Sequence, residues 1–182
     1  MNRWHRRIPP EKATGTSITL PQDVSDFDTA CQVLLALSET VGARLREAKV
    51  RCNSVTVELK DWKFACQSHQ CVLKSPTDST SVLYDTACQL LKEFWNKTPV
   101  RLIGLRTTQI QEETFEQISL FEDEHAKKMR AMEKAVDAIR GRYGIDSVQR
   151  ASFLKENTLI PHAVSRQKHL GKASEQTPGK EF

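Results

Sequence analysis

Residues 16–20 alternate polar and apolar side chains, with Ile18 and Leu20 to one side and Ser17 and Thr19 to the other. That is the period of a strand with one buried face. Pro21 ends the strand, and Ser25 followed three residues later by Asp28 has the spacing of a capping box that opens a helix. Phe27, Cys31, Leu34, Leu37 or Ser38, Val41, Leu45 and Ala48 then trace one helical stripe. Residues 54–60 alternate again, Val55, Val57 and Leu59 inward and Ser54, Thr56, Glu58 and Lys60 outward. A turn at Asp61 and Trp62 leads to an antiparallel partner over residues 64–73, which Pro76 breaks. A second helix follows, with Leu83, Ala87, Leu90, Leu91 and Phe94 on one face. Pro99 stops it, and residues 100–110 form a last strand, apolar enough at its start to be central in a sheet.

The order βαββαβ predicts an α+β fold: a four-stranded antiparallel or mixed sheet with two helices on one face. Each helix has a single apolar stripe and each clear strand a single apolar face, so the opposite sheet face stays open and polar. An acidic linker and a C-terminal helix follow. Residues 111–124 carry six acids (Glu112, Glu113, Glu116, Glu122, Asp123, Glu124) and no base, interrupted by Phe115, Ile118, Leu120 and Phe121. Met129, Met132, Val136, Ile139 and Tyr143 then recur at spacings of three and four on a basic helix. A two-heptad stripe is short for an autonomous coiled coil, so packing on its own domain ranks ahead of partner binding or dimerisation. The expected partition is a basic linker at 1–12, a domain at 13–111, the acidic linker at 112–124, a helical segment at 125–154 and a flexible tail at 155–182.

Composition narrows the chemistry. With 38% hydrophobic and 27% charged residues the chain reads as one soluble globular domain plus tails. Its apolar runs are too short for a bilayer span and its first residues lack the apolar stretch of a signal peptide, which predicts a cytoplasmic protein. The net charge of +4 permits a nucleic-acid partner without demanding one. The five cysteines include no Cys-x-x-Cys pair and read as reduced packing residues. Cys66, His69 and Cys71 lack a second pair of ligands, so no metal site is expected. Paired acidic metal ligands, a phosphate-cradling glycine loop and a nucleophile–histidine constellation are all missing from the pattern. No complete active site, and no cofactor in this chain, is the expectation.

The open sheet face is the better candidate. Ser17, Thr19, Ser54 and Thr56 project from it as small hydroxyls able to approach phosphate oxygens without reading bases. Arg106 and Thr108 share parity with Leu102 and Gly104, while Arg101 has the opposite parity. Both arginines reach the same face only if Arg101 lies at the strand entrance or Gly104 marks a bulge. Any half-buried sheet shows hydroxyls outward, so the pattern alone leaves that bland reading open. Gln117, Ile118, Ser119, Leu120 and Phe121 form an apolar island in the acidic linker, suited to a partner's groove or to folding back on their own domain.

These segments resemble the C-terminal region of Y-family translesion DNA polymerases, the DNA polymerase IV and ImpB/MucB/SamB group. Residues 12–21 (Lys-Ala-Thr-Gly-Thr-Ser-Ile-Thr-Leu-Pro) look like the linker that enters the family's little finger domain. Residues 41–46 (Val-Gly-Ala-Arg-Leu-Arg) are similar to the end of its first helix, and residues 100–105 (Val-Arg-Leu-Ile-Gly-Leu) to its last strand. Residues 117–121 are similar to its sliding-clamp-binding peptide, Gln-Leu-x-Leu-Phe, with Ile118 in place of leucine. Residues 140–144 and 150–152 resemble the tail of many members.

The resemblance implies DNA-backbone contacts through Ser17, Thr19, Ser68, Arg101 and Arg106, with His69 standing where arginine is common and Leu102 where some members are basic; Lys12, Thr56 and Thr108 complete the expected DNA-binding set. It implies clamp binding through Gln117, Ile118, Ser119, Leu120 and Phe121. Primer-template DNA, the sliding clamp and the rest of a polymerase become the expected partners, in translesion synthesis, DNA repair and the SOS response, near the nucleoid. The catalytic carboxylates and their magnesium belong to a palm domain that these residues do not include. A free-standing, non-catalytic DNA- or clamp-binding interaction protein is the alternative.

Overall fold

The computed structural model describes residues 13–112 and 124–154. β1 (Ala13–Val24), α1 (Phe27–Ala48), β2 (Val50–Asp61), β3 (Cys66–Thr77), α2 (Thr80–Phe94) and β4 (Val100–Glu112) follow the expected order. All pairings are antiparallel, in the spatial order β1-β4-β2-β3, with β4 central. Both helices lie on one face. Between them and the sheet, Leu34, Leu37, Leu45, Val55, Val57, Leu83, Leu91, Ile103 and Leu105 are buried at 0–1% exposure. Burying each such side chain favours the fold by roughly 1.5–3 kcal/mol.

Two strands outrun their prolines. β1 continues through Pro21 and β3 through Pro76, although each proline was expected to end its strand. Both are edge strands, where a missing N–H need not break a ladder. Each proline falls at a register slip, between Thr19 and Val24 in β1 and opposite the Cys52–Ser54 step of β2. The α1 cap also differs from expectation. Asp26, not Ser25, is the N-cap, its Oδ2 accepting from Thr29 N at 2.8 Å and from Thr29 Oγ1 at 2.9 Å. Those bonds hold its carboxyl below the usual carboxylate range.

α1 and α2 approach closely at Gly42, where a Cβ would lie 2.8 Å from Thr80 Oγ1. A third helix, α3 (Glu124–Tyr143), seals that junction. Its Glu133 is buried, and Oε1 accepts from Thr80 N at 2.9 Å and Ser79 Oγ at 3.2 Å. Ser79, the α2 N-cap residue, makes no side-chain capping bond. A carboxylate 53 residues downstream therefore caps α2, where the helix dipole also favours negative charge. Arg46 of α1 pairs with both Glu133 and Asp137, and Glu39 of α1 pairs with Arg140 and Arg150. Arg140 also donates to Val148 O, and Phe153 joins the core beyond it.

α3 thus packs on its own domain, but by its charged side. Of the expected packing stripe, Met129 and Val136 are half-buried, whereas Met132, Ile139 and Tyr143 are 44%, 40% and 67% exposed. Arg130, Glu133, Asp137 and Arg140 recur at the same three- and four-residue spacing on the neighbouring face, and opposite charges on α1 and beside α2 receive them.

Candidate nucleic-acid interface

The helix-free face of the sheet is arranged in rows fixed by strand register. Gly15, Arg106, Thr56 and Gln70 stand in one row; Ser17, Gly104, Glu58 and Ser68 in the next. Thr19, Leu102, Lys60 and Cys66 make a third, and Ala13, Thr108, Ser54 and Val72 a fourth. Ser17, Thr19, Thr56, Ser68, Arg106 and Thr108 therefore share this face. Gly15 beside Arg106 matters, because a Cβ there would lie 3.2 Å from both Arg106 Cα and Cβ.

Not every hydroxyl is free. Ser54 is fully buried and donates to Cys71 O at 3.2 Å, so its polar group is committed to the fold. Thr56 Oγ1 reaches Gln70 Oε1 at 3.4 Å, a long bond on an accessible surface. Glu58 interrupts the positive charge, lying in register between the rows of Arg106 and Lys60. Lys60, outward in the alternation of β2, adds a cation to this face that the hydroxyl pattern does not single out.

Arg101 enters by the first of the two routes open to it. The β2–β4 register slips between Lys60 and Asp61, while Gly104 sits in regular register with Ser17 and Glu58. Arg101 therefore occupies an irregular strand entrance, exposed, with Nε 3.0 Å from Asp23 Oδ1 on β1. The carboxylate raises the already high guanidinium pKa, so Arg101 is a cation at any working pH.

His69 lies elsewhere. It pairs with the inward-facing Val57, stacks on Phe94 of α2 at 5.7 Å between ring centroids, and approaches Glu93 at 3.7 Å. It belongs to the helix-bearing side of the sheet, away from Ser68 and Arg106. Cys71 shares that side, whereas Cys66 is in register with Lys60 on the open face, so alternation separates the three residues that superficially suggest a zinc site. Among the described residues no group of three or more His, Cys, Asp or Glu is placed to hold a metal ion. No described helix is long and apolar enough to cross a membrane. Lys12 and the peptide Gln117, Ile118, Ser119, Leu120 and Phe121 lie outside the described residues.

Residues 11–120 match the family model described as the impB/mucB/samB family C-terminal domain. DNA polymerase IV 2 of Bacillus subtilis is 36% identical over 166 residues, an alignment that covers 88% of this chain and 39% of that protein. DNA polymerase IV of Clostridium acetobutylicum is 30% identical over 145 residues, covering 80% of this chain and 37% of that protein. The chain thus spans less than two fifths of the length of these relatives. A solved chimeric Y-family DNA polymerase shares the fold, with a TM-score of 0.50 and 22% identity over 56% of this chain and 29% of its own.

Proposed function

Because this chain belongs to the impB/mucB/samB C-terminal family, the little finger domain of polymerase IV-type Y-family DNA polymerases, we propose that it grips primer-template DNA for a translesion polymerase and recruits that polymerase to the sliding clamp. The grip is assigned to the helix-free sheet face. The observation that carries it is Arg106 standing on that face beside Gly15 and Thr56, among small hydroxyls, with no helix packed above it. Ser17, Thr19, Thr56, Ser68 and Thr108 supply hydrogen bonds to phosphate, while Arg106, Lys60 and, at the edge, Arg101 supply charge. Lys12, from the segment that leads into β1, adds a further cation. His69, on the other side, is left out of the grip. Glu58 tempers the positive field, which suits a surface that must slide along DNA after each nucleotide.

Recruitment is assigned to Gln117, Ile118, Ser119, Leu120 and Phe121. Seating Leu120 and Phe121 in a hydrophobic pocket contributes roughly 1.5–3 kcal/mol each, less the cost of ordering the linker. Alone the peptide binds weakly; joined to a DNA-bound domain it gains through effective concentration.

Fluorescence anisotropy with blunt duplex DNA tests the grip. Binding in the range of about 10⁻⁴–10⁻⁶ M is expected near physiological salt. Arg106→Ala is expected to weaken it and to flatten the slope of log K against log salt by about one. An unchanged slope removes Arg106 from the interface. For recruitment, the Leu120→Ala/Phe121→Ala double variant should lose clamp affinity, and equal affinities would reject the assignment.

A further inference from the structure

The β2–β3 hairpin tip displays two large aromatic rings that the fold does not use. Trp62 is 50% and Phe64 66% exposed. Lys63 Nζ lies 4.9 Å from the Trp62 ring centroid and Lys60 Nζ 5.9 Å from that of Phe64. The only acid at the tip, Asp61, is occupied by the turn: its Oδ1 accepts from Lys63 N and Ala65 N, both at 2.8 Å. Phe64 N donates to Asp61 O, and Asp61 N to Ala65 O. The rings are thus carried on a closed, well-bonded turn. Phe64 has φ of 67°, a left-handed conformation that favours glycine and penalises a bulky side chain. Turn chemistry alone would not select phenylalanine there.

The tip extends the same end of the sheet at which Asp61 is in register with Val100, next to Arg101. Exposed rings alternating with ammonium groups match what an unpaired nucleotide offers, a flat base flanked by phosphates. A protein contact would gain little from a lysine held against each ring. We propose that Trp62 and Phe64 form a stacking platform for an unpaired base of single-stranded DNA, adjoining the sheet face that grips the duplex. The location beside a duplex rests on the function proposed above; the stacking chemistry does not.

The test uses the full chain and three DNAs of equal duplex length: blunt, extended by single-stranded thymidines, and extended by abasic units. The thymidine extension should tighten binding on the order of tenfold over blunt duplex, and the abasic extension much less. Trp62→Ala and Phe64→Gly should each remove most of that gain while leaving blunt-duplex affinity unchanged. Phe64→Gly also suits the backbone of the turn, so its loss of binding is not a folding defect. Equal binding of thymidine and abasic extensions, or a gain that survives both substitutions, overturns the platform. A loss shared equally by all three DNAs also overturns it. If blunt duplex fails to bind but thymidine strands bind in a Trp62-dependent way, the platform stands and the grip falls.

Discussion

At the scale of single residues, burial separates groups that composition lumps together. Cys31 and Cys52 are buried, Cys71 and Cys88 half-buried, and Cys66 exposed on the open face. Loss of hydration raises the Cys31 thiol, reinforced by its contact with Cys88, and raises Cys88 itself. The same cause pushes Cys52 up to about 11 from the ordinary 9.0. Tyr84, beside Cys88, is raised as well, again chiefly by burial. Each group is neutral when protonated and holds its proton longer in the folded chain than in the unfolded one. Above about pH 9 the unfolded chain binds fewer protons, so stability falls as pH rises. The urea midpoint should decline between pH 8.5 and 10.5, and a Cys31→Ala/Cys88→Ala variant should show a shallower decline. A midpoint independent of pH over that range would contradict the burial argument.

Elements tell a different story about what sequence reading can reach. Periods of two and 3.6 found the strands and helices in order, because in β1, β2, α1, α2 and the start of β4 the buried positions are mostly the apolar ones. The same reasoning found only the margin of the packed face of α3, where Met129 and Val136 are half-buried, because Glu133, Asp137 and Arg140 are spaced just as the apolar residues are and their partners lie on an element about 90–100 positions earlier. Nothing local announces that Arg46 and Glu39 await them. Glu133→Ala should therefore cost about 2–3 kcal/mol, since it uncaps α2 and removes one of the two carboxylates that pair with the buried Arg46. Ile139→Lys, on the exposed side of the same helix, should stay within about 0.5 kcal/mol. Urea denaturation of the two variants discriminates directly: a costly Ile139 and a tolerant Glu133 would restore the apolar stripe as the packing face.

For the whole molecule, the open face was legible from alternation and its cations only partly so. Arg106 follows parity, but Arg101 depends on a register slip that no strand pattern records. His69 entered the candidate set through the family resemblance alone, and its register with the inward-facing Val57 sets it on the helix-bearing side, which the exposed and mixed pattern of β3 does not reveal. On the DNA grip proposed above, a surface dominated by small hydroxyls and scattered cations should bind duplexes chiefly through the backbone. Replacing a GC-rich duplex with an AT-rich one is expected to change affinity by about threefold at most, while raising salt weakens both in parallel. Strong sequence preference in the same anisotropy assay would contradict backbone-only recognition.

The charged seam that holds α3 also sets a leash length. Phe121 is three positions before Glu124, the first residue of that helix, so even fully extended chain carries it no more than about 11 Å away. On the recruitment proposed above, and with α3 seated on Arg46 and Glu39, a clamp that captures Phe121 would be held within that reach of the start of α3. On the same proposal, the ion pairs that fasten the helix would limit how far this domain can stand from a bound clamp, and loosening them would lengthen the tether without altering one residue of the peptide.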